Sequence, residues 1–152
     1  MKYPEIAINN SERRNIMTQD KRSELIDSPH FQYILIRDFL LSNILGEDTD
    51  EVLYWSGKEL ARQFPLSEND AIVASFTHCG FGDLTLVKSE KKQNHYQLNG
   101  DLVRTRVLNE NVSFQLEAGY LAEQMNHITG SSCEASVTIT DKKEVFLILT
   151  ID

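Results

Sequence analysis

The segment between Pro29 and Gly46 carries more apolar side chains than one buried helix face can hold. Ser28 suits an N-cap, Pro29 suits the first helical position, and Gly46 suits the end of the helix. The apolar residues of this segment are Phe31, Tyr33, Ile34, Leu35, Ile36, Phe39, Leu40, Leu41, Ile44 and Leu45. Because a surface helix needs only one apolar stripe, we predict that a second face contacts another helix or a second subunit. The candidate residues of a homodimer interface are Phe31, Ile34, Leu40, Leu41 and Ile44.

Two further helices are predicted before the first strand. One begins near Asp48 and ends before Pro65, with Phe64 continuing its apolar side. Its Gly57 costs about 1 kcal/mol relative to Ala in a helix, so it is best tolerated where another backbone approaches closely. The next helix runs from Ser67 to Gly80, and we expect its buried side to be Ile72, Val73, Phe76 and Cys79.

The second half of the chain predicts an antiparallel sheet and one more helix. Alternation favours strands between residues 83 and 98, residues 113–129 form the clearest helical pattern, and residues 102–108 suit either a strand or a helix. Residues 133–140 alternate, whereas Val145 to Ile151 is apolar on both faces, as expected for an inner strand. The predicted class is therefore α+β, an antiparallel sheet with the N-terminal helices and the late helix packed on it.

The first 28 residues lack a core pattern. Residues 9–15 are polar without periodicity, and residues 19–24 are mostly charged. We expect a loosely ordered tail over residues 1–28 and one domain over residues 29–152.

Composition excludes several classes of partner. The net charge of −8 disfavours a nucleic-acid backbone and an anionic membrane surface as partners. No apolar run approaches the roughly 18 residues of a membrane span. Cys79 and Cys133 form no CxxC motif, and the N-terminus has no apolar signal region, so we expect a cytoplasmic protein.

No arrangement of reactive side chains predicts catalysis or a metal site. His78 and Cys79 are adjacent, so on a helix they point about 100° apart, and we interpret Cys79 and Cys133 as small core residues. The four histidines lack zinc-ligand spacing, and no cofactor is expected. Arg104 and Arg106 suit an anion site or a solvated face, and we favour the solvated face. Glu117 suits a helix N-terminus, a buried hydrogen-bonded position or a pocket equally well.

Three motifs carry a family resemblance. They are YWSGKELARQFPL at residues 54–66, GFGDLT at residues 80–85 and FQLEAGYLAEQ at residues 114–124. Together they resemble the YslB-like family of bacterial proteins of unknown function, over roughly residues 30 to 152. Phe81 stands where that family usually has Trp, and Tyr120 where it usually has Phe.

More distantly, the helical segment at residues 117–122 is similar to that of vinyl-reductase-type ligand-binding domains, which are related in fold to TRAPP small subunits. That resemblance implies an α/β plait, dimers through the N-terminal helices and a hydrophobic pocket between helices and sheet. It implies no reductase activity, and no His matches a haem ligand.

Two functional hypotheses follow, with an enzyme as a third. The first is a non-enzymatic domain that binds a small apolar ligand or acts as a sensor. Its candidate ligand-binding residues are Trp55, Phe76, Phe81, Glu117 and Tyr120. The second is a homodimeric protein–protein adaptor with a filled core.

Overall fold

Seven α-helices, a π-helical segment, one 3-10 turn (Gly46–Asp48) and four strands are formed by residues 17–152, the part of the chain that the computed structural model describes. The helices are α1 (Gln19–Asp27), α2 (Phe31–Ile34), α3 (Leu41–Leu45), α4 (Thr49–Gln63), α5 (Asn69–His78), α6 (Asp101–Arg106) and α7 (Gln115–Thr129). A π-helical segment, Leu35–Leu40, joins α2 to α3 without a break. We call residues 31–45 the π-containing helix. The predicted α+β class is confirmed.

The strands make one antiparallel sheet. They are β1 (Asp83–Ser89), β2 (Gln93–Asn99), β3 (Cys133–Ile139) and β4 (Val145–Ile151), in the order β1-β2-β4-β3. β4 is an inner strand, as predicted, and pairs with both β2 and β3. Val145, Leu147 and Leu149 are buried under the helices, whereas Phe146 and Ile148 on the other face are half-buried.

Helix α7 is the central helix of the domain. Its residues from Glu117 to Met125 are all buried, between α4 on one side and the sheet on the other. α4 crosses α7 closely: a Cβ atom on Gly57 would lie 2.1 Å from the carbonyl oxygen of Leu116. The expectation that another backbone approaches Gly57 is therefore confirmed.

Several sequence-based expectations need correction. The predicted loose tail falls partly outside the described residues, at residues 1–16, but residues 19–27 form α1 and bury Leu25. Val73 and Cys79 are exposed, because α5 buries only Ile72 and Phe76 and Cys79 is its C-cap.

Phe64 is also exposed, because it is the C-cap of α4 and has left the helical conformation. The ambiguous segment at residues 102–108 is mostly helical, since α6 ends at Arg106.

Candidate functional site

The π-helical segment brings two adjacent charged residues into the interior. Arg37 and Asp38 are each only 5% exposed, although neighbouring residues of a regular helix point about 100° apart. π-helical turns are rare and occur frequently at functional sites. The segment therefore marks the first part of a candidate site.

Arg106, on α6, is the centre of a buried ion network. Its Nε and Nη2 atoms donate to the two Asp38 carboxylate oxygens at 2.9 and 2.8 Å, a bidentate pair. Its Nη1 donates to Glu117 Oε1 at 3.1 Å, and its Nη2 also donates to the Ser113 carbonyl at 3.0 Å. The Phe114 ring stacks 4.3 Å from the guanidinium carbon. Every nitrogen of this side chain has a partner, although the residue is fully buried.

Arg37, next to Asp38 on the π-helical segment, completes the network. Its Nη2 donates to both Glu117 oxygens, at 2.9 and 2.7 Å, and its Nη1 donates to the Ser113 carbonyl at 3.3 Å. Its Nε has no hydrogen-bond partner among the described residues. We call Arg37, Asp38, Arg106 and Glu117 the buried ion network; two positive and two negative charges balance in it.

The surroundings of the network fix the charge state of Arg106. Burial by itself lowers the pKa of the Arg106 guanidinium, but Glu117 and Asp38 outweigh burial and raise that pKa. Burial, together with the charge of Glu117, raises the pKa of the nearby Tyr33 phenol. The four side chains are almost closed to solvent and bonded to one another, so the network suits a structural role.

The outer side of the same helix is an exposed apolar surface. The exposed fractions are 46% for Leu35, 57% for Ile36, 38% for Phe39, 49% for Leu40 and 67% for Ile44. We call these five residues the apolar face. The other exposed residues of the helix, Gln32 and Asn43, are uncharged. The helix thus presents an uncharged apolar surface on one side and two ion-paired charges on the other.

The predicted interface residues divide between these two sides. Leu40 and Ile44 belong to the apolar face, and Phe31 and Leu41 are half-buried. Ile34 is fully buried within the chain, so its assignment to an interface is wrong. Its side chain packs on the inward face of the helix.

The predicted ligand-binding residues are only partly brought together. Phe76, Phe81 and Tyr120 are buried and stack edge-to-face, with ring centroids 5.4 to 5.6 Å apart. Glu117 lies in the buried ion network. Trp55 is exposed on α4. The three stacked rings form an aromatic cluster between helices and sheet.

A second polar cluster joins α4 to the β3 edge. Lys58 is buried and donates to Glu134 Oε1 at 2.6 Å. The Tyr54 hydroxyl donates to Glu134 Oε2 and accepts from the backbone N–H of Ala135. Partial burial by itself raises the pKa of the Glu134 carboxyl, but the hydrogen bonds from Lys58 and Tyr54 lower it overall. This cluster ties the helical layer to an edge strand.

A shallow polar groove lies where the 107–112 loop meets the β3–β4 hairpin. Its volume is about 290 Å³, and Asn109, Glu110, Thr140, Asp141 and Lys143 are among its lining residues. Within residues 17–152, no group of three or more His, Cys, Asp or Glu side chains is arranged to hold a metal ion. The described residues also contain no helix that is both long and apolar enough to span a membrane.

Sequence reasoning missed the buried ion network. In the sequence, Arg37 and Asp38 only interrupt an apolar run, and the favoured solvated face for Arg106 is wrong. Of the alternatives for Glu117, the buried hydrogen-bonded position is the one observed. One signal could have indicated the network: Arg37 and Asp38 are the only charged residues among residues 31–45.

Comparisons with known proteins agree with the resemblance seen in the sequence. A family model described as "Protein of unknown function (DUF2507)" matches residues 30–150. The uncharacterised protein YslB of Bacillus subtilis is 36% identical over 111 residues, 72% of this chain and 75% of that protein. A vinyl-4-reductase family protein from Methanocaldococcus jannaschii is similar in structure, with a TM-score of 0.59 over 97% of this chain and 99% of that one. At 17% identity, that likeness shows a shared fold.

Proposed function

We propose that this chain, which belongs to the DUF2507 family of proteins of unknown function, is a non-enzymatic adaptor domain that pairs with a second copy of itself. The apolar face of the π-containing helix forms the contact. The observation that carries the proposal is the exposure of its five large apolar side chains in one helix. Two free cysteines, one of them exposed, suit a reducing cytoplasm.

Exposed apolar side chains that are contiguous favour burial against a partner. Single exposed apolar residues are common on protein surfaces, but a contiguous patch typically marks an interaction site. The apolar face lies on a helix of 15 residues, about 22 Å long. Burying it removes apolar area from water at about 25 cal/mol per Å².

Charge limits where a second copy could contact this chain, and the apolar face meets that limit. The chain carries a net charge of −8, so two copies repel each other over most of their surfaces. The π-containing helix exposes no charged side chain. A twofold contact places the same surface on both partners, and here it sets apolar residues against apolar residues. Stable interfaces bury about 800 Å² per partner, so we expect exposed Val52 and Trp55 of α4 to contribute.

A small apolar ligand is the second candidate. The aromatic cluster of Phe76, Phe81 and Tyr120 lies between helices and sheet, where small-molecule sites often occur. The fold is shared with a protein of the vinyl-4-reductase family. The close contacts of the three rings favour a filled core, so we rank this candidate below self-association.

Sedimentation velocity of the full chain and two charge variants tests the pairing. Leu40→Glu places a charge on the apolar face, and Val73→Glu places one on α5, where Val73 is similarly exposed at 44%. We expect the wild type and Val73→Glu to sediment as dimers at tens of micromolar, and Leu40→Glu as a monomer. A monomeric wild type, or equal dissociation of both variants, would contradict the proposal.

Native mass spectrometry separates the two candidates. An adaptor with a filled core gives the mass of the polypeptide alone, as monomer or dimer. A stoichiometric extra mass, lost when Phe81→Ala opens the aromatic cluster, would favour ligand binding. Leu84→Ala removes a buried side chain outside the stacked rings and serves as the control for general destabilisation.

A further inference from the structure

The π-containing helix is apolar on two sides, so hydrophobicity alone does not determine which side faces the core. Ile34 is fully buried, whereas Ile36 and Leu40 are exposed. All three are large aliphatic side chains of similar transfer free energy. Turning the helix about its axis would exchange one set of apolar contacts for another of similar size.

The charged residues of this helix break that symmetry. Arg37 and Asp38 are the only two in residues 31–45, and both face inward. Their partners come from two other parts of the chain: Arg106 from α6, and Glu117 and the Ser113 carbonyl from α7 and the residues preceding it. The contacts span 68 to 80 residues of sequence, so they join the helix to the rest of the domain.

Any other orientation of the helix takes hydrogen-bond partners away from two buried charges. Arg106 and Glu117 are fully buried and belong to elements that pack in the core. If Arg37 and Asp38 turned to solvent, Arg106 would lose its bidentate partner and Glu117 would lose both bonds from Arg37. Buried charges that lose ion-pair partners destabilise a fold strongly, whereas exchanging apolar side chains of similar volume changes its stability less.

We propose that the buried ion network is a positioning device that fixes the rotation of the π-containing helix and so keeps the apolar face outward. Buried ion pairs often contribute little net stability compared with apolar replacements of similar volume. Their value is then in specifying one arrangement. The inference rests on the proposed function only in taking the apolar face as a contact surface. The orientation of the helix is tested by a separate measurement.

Thiol labelling at two reporter positions tests the orientation. Ile34→Cys reports the inward side and Ile36→Cys the outward side, each in a Cys79→Ser background that removes the exposed native thiol. Both chains are labelled at sub-micromolar concentration, so that any dimer dissociates without a charge being added to the apolar face. With the network intact, we expect the residue at position 36 to react at least about 100-fold faster than the residue at position 34.

The network is then removed in two ways. The variant Arg37→Met, Asp38→Leu, Arg106→Met, Glu117→Leu replaces all four charges with apolar groups of similar size. The double variant Arg37→Gln, Asp38→Asn removes both charges of the helix itself but keeps groups that form hydrogen bonds. If the network sets the orientation, the ratio of the two labelling rates falls to below about 10-fold in folded protein, as judged by circular dichroism.

A ratio that stays at the wild-type value in either folded variant would overturn the inference. If the fourfold variant does not fold, the double variant decides. The sedimentation test of pairing is independent of this one, because the labelling ratio is measured on the monomer. A monomeric wild type with a large ratio would overturn the pairing and leave the positioning role standing.

Discussion

Gly119 of α7 packs directly against the carbonyl group of Tyr54: a Cβ atom at position 119 would lie 2.0 Å from the Tyr54 oxygen. The relationship is reciprocal, because a Cβ atom on Gly57 of α4 would lie 2.1 Å from the Leu116 oxygen. Two glycines, one on each helix, therefore let the backbones of α4 and α7 touch. This close crossing holds α4 near β3, where Tyr54 and Lys58 contact Glu134.

Gly119→Ala should destabilise the domain. In an ordinary helix this change is stabilising by up to about 1 kcal/mol, because Ala has the higher helix propensity. Here the added methyl group meets backbone, which cannot move aside as a side chain can, so we expect a loss of about 2 to 3 kcal/mol. Urea unfolding measures the difference, with Ser56→Ala on α4 as a control expected to stay within about 0.5 kcal/mol. A Gly119→Ala protein more stable than the wild type would contradict the close crossing.

Arg106→Met should cost far more than Arg104→Met. Both residues lie on α6, but Arg106 is fully buried in the ion network and Arg104 is an exposed residue paired with Asp101. Removing Arg106 leaves Asp38 and Glu117 with fewer buried partners, so we expect a loss of about 3 to 5 kcal/mol. The exposed pair contributes between about 0 and 1 kcal/mol. Equal free energies of unfolding for the two variants would show that the network is not closed to solvent.

The difference between Arg104 and Arg106 also shows which features of the structure can be predicted from local sequence and which cannot. The class, the late helix and the C-terminal hairpin follow from local periodicity. All three are predicted correctly, although the helix predicted over residues 113–129 begins only at Gln115. The buried ion network depends on which elements meet in space. Nothing within the local sequence of residues 101–106 distinguishes a buried Arg from an exposed one two positions away.

The existence of an apolar face, unlike the buried ion network, can be predicted from the local sequence. An excess of apolar residues in one helix is a local signal, and residues 31–45 by themselves indicate two apolar sides. Which side faces inward is not a local property. For that reason the sequence wrongly predicts Ile34 on the outward side, although it is fully buried. Arg37 and Asp38 determine that choice through partners 68 to 80 residues away.

Stability should respond to acid through Glu134. The hydrogen bonds from Lys58 and Tyr54 outweigh the effect of burial and lower the folded-state pKa of this carboxyl below its ordinary value of 4.5. Its contribution to stability is therefore present above pH 4.5 and is lost as pH falls through the lower folded-state pKa. We expect Glu134→Gln to melt at a lower temperature than the wild type at pH 7. This difference in melting temperature should disappear in acid.

A control for that comparison is Glu144→Gln, on the β3–β4 turn. Like Glu134→Gln it removes one carboxylate, but the Glu144 side chain makes no ion pair within residues 17–152. It should melt like the wild type at pH 7. A difference in melting temperature between the wild type and Glu134→Gln that persists unchanged below pH 3 would exclude the pKa shift as its cause.

The two cysteines should differ sharply in reactivity. Cys79 is exposed at the end of α5, whereas Cys133 is buried in β3, where burial raises the pKa of its thiol. Because the thiolate is the reactive form, a thiol reagent at pH 8 should modify Cys79 quickly and Cys133 only when the fold opens. Cys79→Ser should abolish the fast phase, and Cys133→Ala should leave it intact. A fast phase that survives Cys79→Ser would show that β3 opens readily.

Hydroxyl-radical footprinting of the wild-type chain over a concentration series tests the pairing surface most directly. Self-association through the π-containing helix predicts that oxidation of Phe39 and Leu40 falls as the protein becomes more concentrated, while oxidation of the similarly exposed Val73 on α5 stays constant. The fall should follow the same concentration dependence as the molecular mass. Oxidation of Phe39 and Leu40 that does not change while the protein dimerises would contradict the account, because the contact would then lie on another surface.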